Sequence, residues 1–397
     1  MPKNLLFFLN NYNDVDQAAP LIFTLLEDAR GVKVICLGHY DLKDDPRIRF
    51  FSHYESFVIV TPKYFPTAGR STGIIQKLWR RIAFNTVFAV FFLKQHKIGL
   101  CIYTWCNPTG KGFQTRIFWA ARKLKIKNVC IPHGQNIFSN FDVNQHLIDF
   151  HQRTRRWPDF SPRNKFDLYI VQTEHHRRWN IDWGMDPEVI VELGSMRFHP
   201  AWVKKHLTFY RPYQNKKLER FTDRVKIVFF IPHWHYNVDY QKTINLISLL
   251  AESSLTALVI KGHTRGHRLQ QVEINNLAHY PCVEIDRNTP SSTLIAWADL
   301  VINFGSSIGL EAIVTGRAVI NPFFLHRNKT IFDSSGAVYD ASSLDDVMRL
   351  VSLVKNGALP ALSESATTRL LTSEIYGGAK AQDTAAIYCR AVIARIA

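Results

Sequence analysis

A rhythm that runs twice most limits what this chain can fold into. Short apolar runs alternate with stretches of helical period, first over residues 5–172 and again over residues 225–340. Strand–helix alternation puts helices on both faces of a parallel sheet, whose strands then read as continuous apolar runs. The first series predicts strands at residues 5–9, 32–37, 57–61, 98–105, 128–132 and 166–172, and helices at 15–26, 73–95, 114–123 and after 172. The second predicts strands at 225–231, 256–261, 283–286, 300–304, 318–321 and 338–340, and helices near 243–251, 270–278 and 309–315. Between the two lie residues 210–223, YRPYQNKKLERFTD, polar, charged and holding a proline, which read as a linker.

At 397 residues the chain exceeds one ordinary core and suits two domains. The expected organisation is a Rossmann-like domain at 1–209, a linker at 210–223 and a second Rossmann-like domain at 224–378. A small-residue helix at 379–397 is expected to pack back on the first domain. The expected fold class is α/β, two Rossmann-like domains facing a central cleft, with ligand at the carboxyl ends of the strands.

Composition narrows the function. Hydrophobic residues at 46% and charged residues at 21% are globular values. The six cysteines show neither CxxC nor zinc-ligand spacing and read as buried reduced thiols, which suits a reducing cytoplasm. The amino-terminal MPKNLLFFLNNYND has too short an apolar stretch for a signal peptide. Residues 82–93 are the most apolar segment; interrupted by Asn85 and Thr86, they fall short of the roughly 20 residues of a membrane span and read as a buried helix. A net charge of +16 attracts polyanions. No zinc finger, RNP motif or basic tail is present, so nucleic acid is not expected, and a phosphorylated substrate or lipid headgroup is favoured. The cluster Lys77, Trp79, Arg80 and Arg81 is the candidate for peripheral contact with an anionic membrane.

The strongest local signal is residues 300–322, LVINFGSSIGLEAIVTGRAVINP. A strand ends at Phe304, and Gly305-Ser306-Ser307 turn the chain into a helix, whose exposed N–H groups suit a phosphate. Glu311, one turn on, suits ribose hydroxyls, although Ser306 also suits plain capping and Glu311 a dipole partner. Residues 259–266, VIKGHTRG, set Lys261, His263 and Arg265 just past another strand, where His263 can donate to a departing phosphate. In the first half, His133-Gly134-Gln135-Asn136 also follow a strand. Residues 231–240, IPHWHYNVDY, add His233, His235 and Asp239; Asp239 is a candidate carboxylate nucleophile, with Asp159 and Glu174 as weaker ones. His233 and His235 lack a third metal ligand in view, so no metal is expected. Asn13-Asp14-Val15-Asp16 contains an Asp-x-Asp; Asp14 reads as a helix N-cap, with Asn13 or Asp16 facing an acceptor.

A strand-end His-Gly, a Lys-x-His loop and a Ser-Ser helix start resemble bacterial GT-B transferases of surface-polysaccharide assembly. Two branches are similar: the CMP-sugar enzymes, namely Kdo transferases and sialyltransferase-like proteins, and the CDP-glycerol glycerophosphotransferases. The chain departs from both in having Thr264 where proline follows the histidine, and residues 231–240 match neither. His199-Pro200 falls before the linker and takes no nucleotide role. The resemblance implies that His263, Ser306 and Ser307 hold the donor nucleotide, with His133 from the other domain. Its implied activity is transfer of a sugar, Kdo first, from a CMP-activated donor to a glycan or lipid-linked glycan acceptor in the cytoplasm or at the inner membrane face. The expected catalytic residues are Asp239, His133 and His263. Nucleotide binding falls to Lys261, His263, Arg265, Gly305, Ser306, Ser307 and Glu311, and the acceptor side to Asn13, Asp16, Gln135 and Asn136. No cofactor beyond the donor substrate is expected. The alternatives are glycerophosphate transfer from CDP-glycerol with His133 as base, a UDP-sugar 2-epimerase, whose His-Arg-Glu-Asn stretch is not found, and a non-catalytic assembly subunit.

Overall fold

A computed structural model describes residues 4–28, 31–38, 42–60, 86–110, 112–139, 145–210, 215–263, 266, 268–378 and 382–396. The chain forms two compact units. The first comprises Met1–Gln135, Pro158–Trp202 and Thr372–Ala397; the second comprises Asn136–Trp157 and Val203–Leu371.

The first unit is built on seven strands, β1 (Asn4–Phe8), β2 (Val34–Leu37), β3 (Phe57–Val60), β4 (Ile98–Thr104), β5 (Lys127–Ile131), β6 (Leu168–Val171) and β7 (Ile190–Glu192), in the order β3-β2-β1-β4-β5-β6-β7. All pairings are parallel, with Phe7 of β1 opposite Cys36 of β2 and Ile102 of β4. On one face, helices Thr86–Gln95 and Phe113–Lys123 bury Ala89, Phe92, Leu93, Phe113, Ile117 and Phe118 against Tyr103, Cys101 and Phe8. Helix Thr384–Ile393 packs on helix Tyr12–Asp28.

Helix Tyr12–Asp28 starts earlier than expected, and this corrects the reading of Asp14 as its cap. Asn11 Oδ1 accepts the Asp14 N–H at 3.1 Å, so Asn11 caps and Asp14 sits in the first turn, free for another partner. β7 escaped the sequence reading because three residues carry too little apolar pattern. It is held by the carboxyl-terminal segment: Ser195 N–H donates to Ile375 O at 2.8 Å, and Tyr388 Oη to Gly194 O at 2.8 Å. Gly194 has φ +82°, and a Cβ there would stand 2.2 Å from Ile375 O, so only glycine fits.

The second unit has six parallel strands, β8 (Val225–Phe230), β9 (Thr256–Lys261), β10 (Val283–Asp286), β11 (Leu300–Ile302), β12 (Ala318–Asn321) and β13 (Tyr339–Asp340), in the order β10-β9-β8-β11-β12-β13. Its core runs through Ile227, Phe229, Leu258, Ile260, Leu300 and Ile302, covered by Leu246, Leu250, Val347 and Val351 of flanking helices. Each unit is thus a Rossmann-like α/β layer structure. All six cysteines are buried free thiols. No helix among the described residues is long and apolar enough to cross a membrane. The cluster Lys77, Trp79, Arg80 and Arg81, and residues 82–85 of the apolar segment, lie outside the described residues. The rest of that segment is not wholly buried: Val87 is 70% and Phe91 60% exposed, because the helix turns only one side to the sheet.

Candidate functional site

In the first unit, chemistry collects at the carboxyl edge of the sheet. His133 follows β5 and Asp14 follows β1, and their side chains meet, His133 Nδ1 lying 2.7 Å from Asp14 Oδ1. Asp14 is 1% exposed, and its Oδ2 accepts the Asn10 N–H at 2.8 Å. The carboxylate, clamped through both oxygens, accepts Nδ1–H and leaves the Nε2 lone pair of a partly exposed imidazole available. This is how a histidine is oriented as a proton acceptor.

Asp16 does not face an open surface. It bridges two buried guanidiniums, Arg47 Nη1 at 2.5 Å and Arg197 Nε at 2.6 Å, and Asp45 neutralises the other side of Arg47 at 2.6 Å. Interior arginines need counter-charges, and Asp16 supplies one. Asn13 is half-buried on the same helical turn.

Gln135 is buried and donates from Nε2 to Glu374 Oε2 at 3.1 Å. Burial pushes the Glu374 carboxyl up to about 7, and Glu192 adds to the rise against the hydrogen bonds from Gln135 and Ser373. Glu192, at the end of β7, is raised by burial and by Glu174. Glu174 opens the helix after β6, whereas Asp159 is an exposed turn residue whose pKa is lowered by the Ser161 hydroxyl and by the Ser161 N–H it accepts. His199 contacts Gln382 O at 3.2 Å, and burial lowers its pKa.

The second unit has its own carboxyl edge. At the end of β11, Asn303 is fully buried and its Nδ2 donates to Ser306 O at 2.8 Å, which pins the turn. Gly305 takes φ +70°, with the Phe138 ring 3.8 Å from where a Cβ would lie. Ser306 and Ser307 are half-buried ahead of helix Ile308–Val314, and Ser307 makes no side-chain cap bond. Glu311 is 1% exposed, inside that helix. Behind the turn, His326 stacks on Phe304 at 5.8 Å and 5°, and burial lowers its pKa.

Past β8 and β9, four rings assemble. His233 stacks on Tyr236 at 4.2 Å and meets His263 edge-on at 5.7 Å, and His235 lies 5.5 Å from His233. Beside them is a pocket of about 180 Å³ lined by Lys261, His263, Arg268, Asp286, Arg287 and apolar side chains. Lys261 is not loose there: its ammonium lies 3.3 Å from Asp286 Oδ1, and burial lowers its pKa against the pull of Asp286. Burial alone would raise Asp286, but bonds from Thr289 and Asn215, and Lys261, bring it below the ordinary carboxylate value. Arg265 lies outside the described residues.

Asp239 caps helix Tyr240–Glu252, accepting the Lys242 N–H at 3.0 Å, and this bond lowers its pKa. It lines an opening of about 350 Å³ with Lys242, His326 and Arg327, distinct from the pocket that His263 lines. Asn136 belongs to the second unit, where its Oδ1 accepts the Phe138 N–H at 3.1 Å. Among the described residues no cluster of three or more His, Cys, Asp or Glu suits a metal ion.

The structure thus joins His133 to Asp14, and His233 to both His263 and Tyr236, while Asp239 caps a helix. Sequence reasoning missed Asp14 as the histidine's partner and Glu374 as that of Gln135. The first was within reach, since both residues follow strands that lie close in a Rossmann order; the second spans 239 positions and leaves no local signal.

No family model matches the chain, and no curated protein does. Solved structures do. A UDP-N-acetylglucosamine 2-epimerase described as putative from Listeria monocytogenes superposes with a TM-score of 0.61 at 13% identity, over 99% of this chain and 96% of that one. The UDP-GlcNAc 2-epimerase of Neisseria meningitidis, solved bound to UDP-GlcNAc, gives 0.60 at 13%, over 98% and 100%. Anabaena HepE, solved with UDP and glucose, gives 0.58 at 10%, over 99% and 100%. At such identity the likeness establishes the two-domain Rossmann-like fold. The fold implied by the motif resemblance therefore holds, while its CMP-Kdo and CDP-glycerol branches find no support among these structures.

Proposed function

We propose that this protein is an enzyme acting on a nucleotide-activated sugar, with a UDP-sugar 2-epimerase-like reaction as the favoured reading. The observation that carries the proposal is His133 held by buried Asp14 at the carboxyl edge of a Rossmann-like sheet. The likeness over nearly the full length to epimerases solved with UDP-GlcNAc supports the choice of nucleotide.

Inverting the carbon beside the anomeric centre requires a C–H bond to be broken and remade on the other face. Departure of the nucleotide requires its phosphate charge to be stabilised. His133 Nε2 takes the C2 proton, and the C–H pair forms a C1–C2 double bond as the C1–O bond breaks and its pair leaves on the nucleotide phosphate. Re-addition of the nucleotide, with a solvent-derived proton on the other face of C2, completes the inversion; Asp14 stabilises the imidazolium. In the second unit, taken by itself, the Gly305–Ser307 turn and the His263 loop are candidate anion holders, and Lys261, tied to Asp286, fixes that loop. Asp239, committed as a helix cap, is left out of the chemistry.

Sugar transfer from a CMP-activated donor is the second reading, favoured by the His-Gly, Lys-x-His and Ser-Ser pattern. There His133 would deprotonate the acceptor hydroxyl. Thermal melting with UDP, UDP-GlcNAc, CMP, CDP and GDP separates the two, because a ligand of the native state raises the midpoint. The expected result is stabilisation by UDP and UDP-GlcNAc, deuterium entry at the sugar C2 in D2O, and loss of that exchange in His133→Ala. Stabilisation by CMP alone would replace the first reading with the second. Indifference to every nucleotide would end both.

A further inference from the structure

The charge of this chain is not spread evenly. No Asp or Glu occurs between Glu55 and Asp142, and that stretch carries thirteen Lys and Arg of the 49 in the chain. Its described part includes helices Thr86–Gln95 and Phe113–Lys123, which pack side by side on one core. The ring of Phe113 lies 6.5 Å from both Phe88 and Phe92, so the two helices meet through an aromatic contact at whose edge Phe88 is partly exposed.

The exposed positions of these two helices combine apolar and basic side chains. Val87 and Phe91 stand 70% and 60% exposed at i, i+4 spacing, with Phe88 and Trp119 at 37%. Lys94, Lys97, Arg122, Lys123 and Lys125, on the same two helices and the turns that follow them, are exposed as well. Lys165 Nζ lies 5.9 Å over the Trp119 ring. Among the described residues Lys94, Lys97, Lys123 and Lys125 form no ion pair, and the local sequence holds no carboxylate to give them one. Apolar exposure of this kind on a soluble domain marks an interaction surface.

We propose that the outer face of helices Thr86–Gln95 and Phe113–Lys123 docks on an anionic lipid bilayer. Val87, Phe88 and Phe91 enter the boundary between headgroups and acyl chains, Trp119 sits at headgroup level, and the lysines reach lipid phosphates with their stems along the apolar surface. The valine and phenylalanine ridge separates this reading from a nucleic-acid surface, because a valine offers no base a stacking plane and no phosphate a donor. The inference stands apart from the nucleotide reading, and no nucleotide enters its test.

The test is flotation of the full chain with vesicles of phosphatidylcholine alone or equimolar with phosphatidylglycerol. The expected result is flotation with the anionic vesicles only, weakened by salt. In Arg122→Gln/Lys123→Gln each lost charge lowers the partition coefficient about fivefold, equivalent to about 1 kcal/mol per basic residue. Val87→Ser/Phe91→Ser, on exposed positions that leave the melting midpoint unchanged, loses most flotation. Absence from both vesicle types overturns the proposal, as does undiminished flotation of Val87→Ser/Phe91→Ser. Binding of a single-stranded RNA without flotation overturns it in favour of a nucleic-acid partner.

Discussion

Replacing Asp14 by Asn changes one atom in kind at the His133–Asp14 pair and nothing of its shape. The Asn10 N–H, 2.8 Å from Asp14 Oδ2, still requires an oxygen there. The new amide nitrogen must therefore occupy the Oδ1 position, 2.7 Å from His133 Nδ1. It donates where the carboxylate accepted, so Nδ1 becomes the acceptor and the proton moves to Nε2. The lone pair assigned to the substrate disappears while both hydrogen bonds survive. Losing a general base costs about 10²–10⁴-fold in kcat, or about 3–5 kcal/mol. The expected outcome is a loss of that size in Asp14→Asn with a melting midpoint close to wild type. Imidazole ¹⁵N shifts of His133 report the tautomer independently of turnover. An Asp14→Asn protein at wild-type rate, or with Nδ1 still protonated, would refute the reasoning.

Other outcomes follow from the same structure. Glu374, pushed up to about 7 by burial from 4.5, holds a proton that the unfolded chain releases. Its penalty is absent below about pH 4, grows as pH rises from there towards 7, and reaches about 3 kcal/mol above it. Glu374→Gln therefore stabilises the protein in chemical denaturation at pH 8 and not at pH 4; a pH-independent difference would contradict this. Gly194→Ala, with φ +82° and a clash against Ile375 O, costs at least about 2 kcal/mol and shows as a lowered melting midpoint. Asp286→Ala destabilises by about 3–5 kcal/mol, since it strands Lys261 and frees Asn215 and Thr289. Lys261→Met costs less, since Asp286 keeps its other donors, and denaturant titration of the two variants ranks them.

Most strands were legible because a buried parallel strand advertises itself: VKIVFF and TALVIK admit few other readings. The Gly305–Ser307 turn was legible for a related reason, since a glycine after such a run marks the point where a chain leaves a sheet. What stayed hidden depends on distance along the chain. Asp14 looked like a helix cap because capping is local, whereas its histidine lies 119 residues away. The pairing of Lys261 with Asp286, 25 positions on, likewise left no local signal. Asp239 illustrates the reverse: the sequence set it beside two histidines, and the structure adds a cap bond to Lys242 that no local pattern announced.

The interleaved connectivity of the two units has a consequence for biosynthesis. The first unit needs Thr372–Ala397, where Ile375 and Tyr388 clasp Ser195 and Gly194, yet the ribosome adds that segment after all of Val203–Leu371. The domain begun first is therefore finished last. A released chain truncated after Leu371 keeps every residue of the second unit while the first unit lacks the clasp that follows β7, which leaves the first unit protease-sensitive.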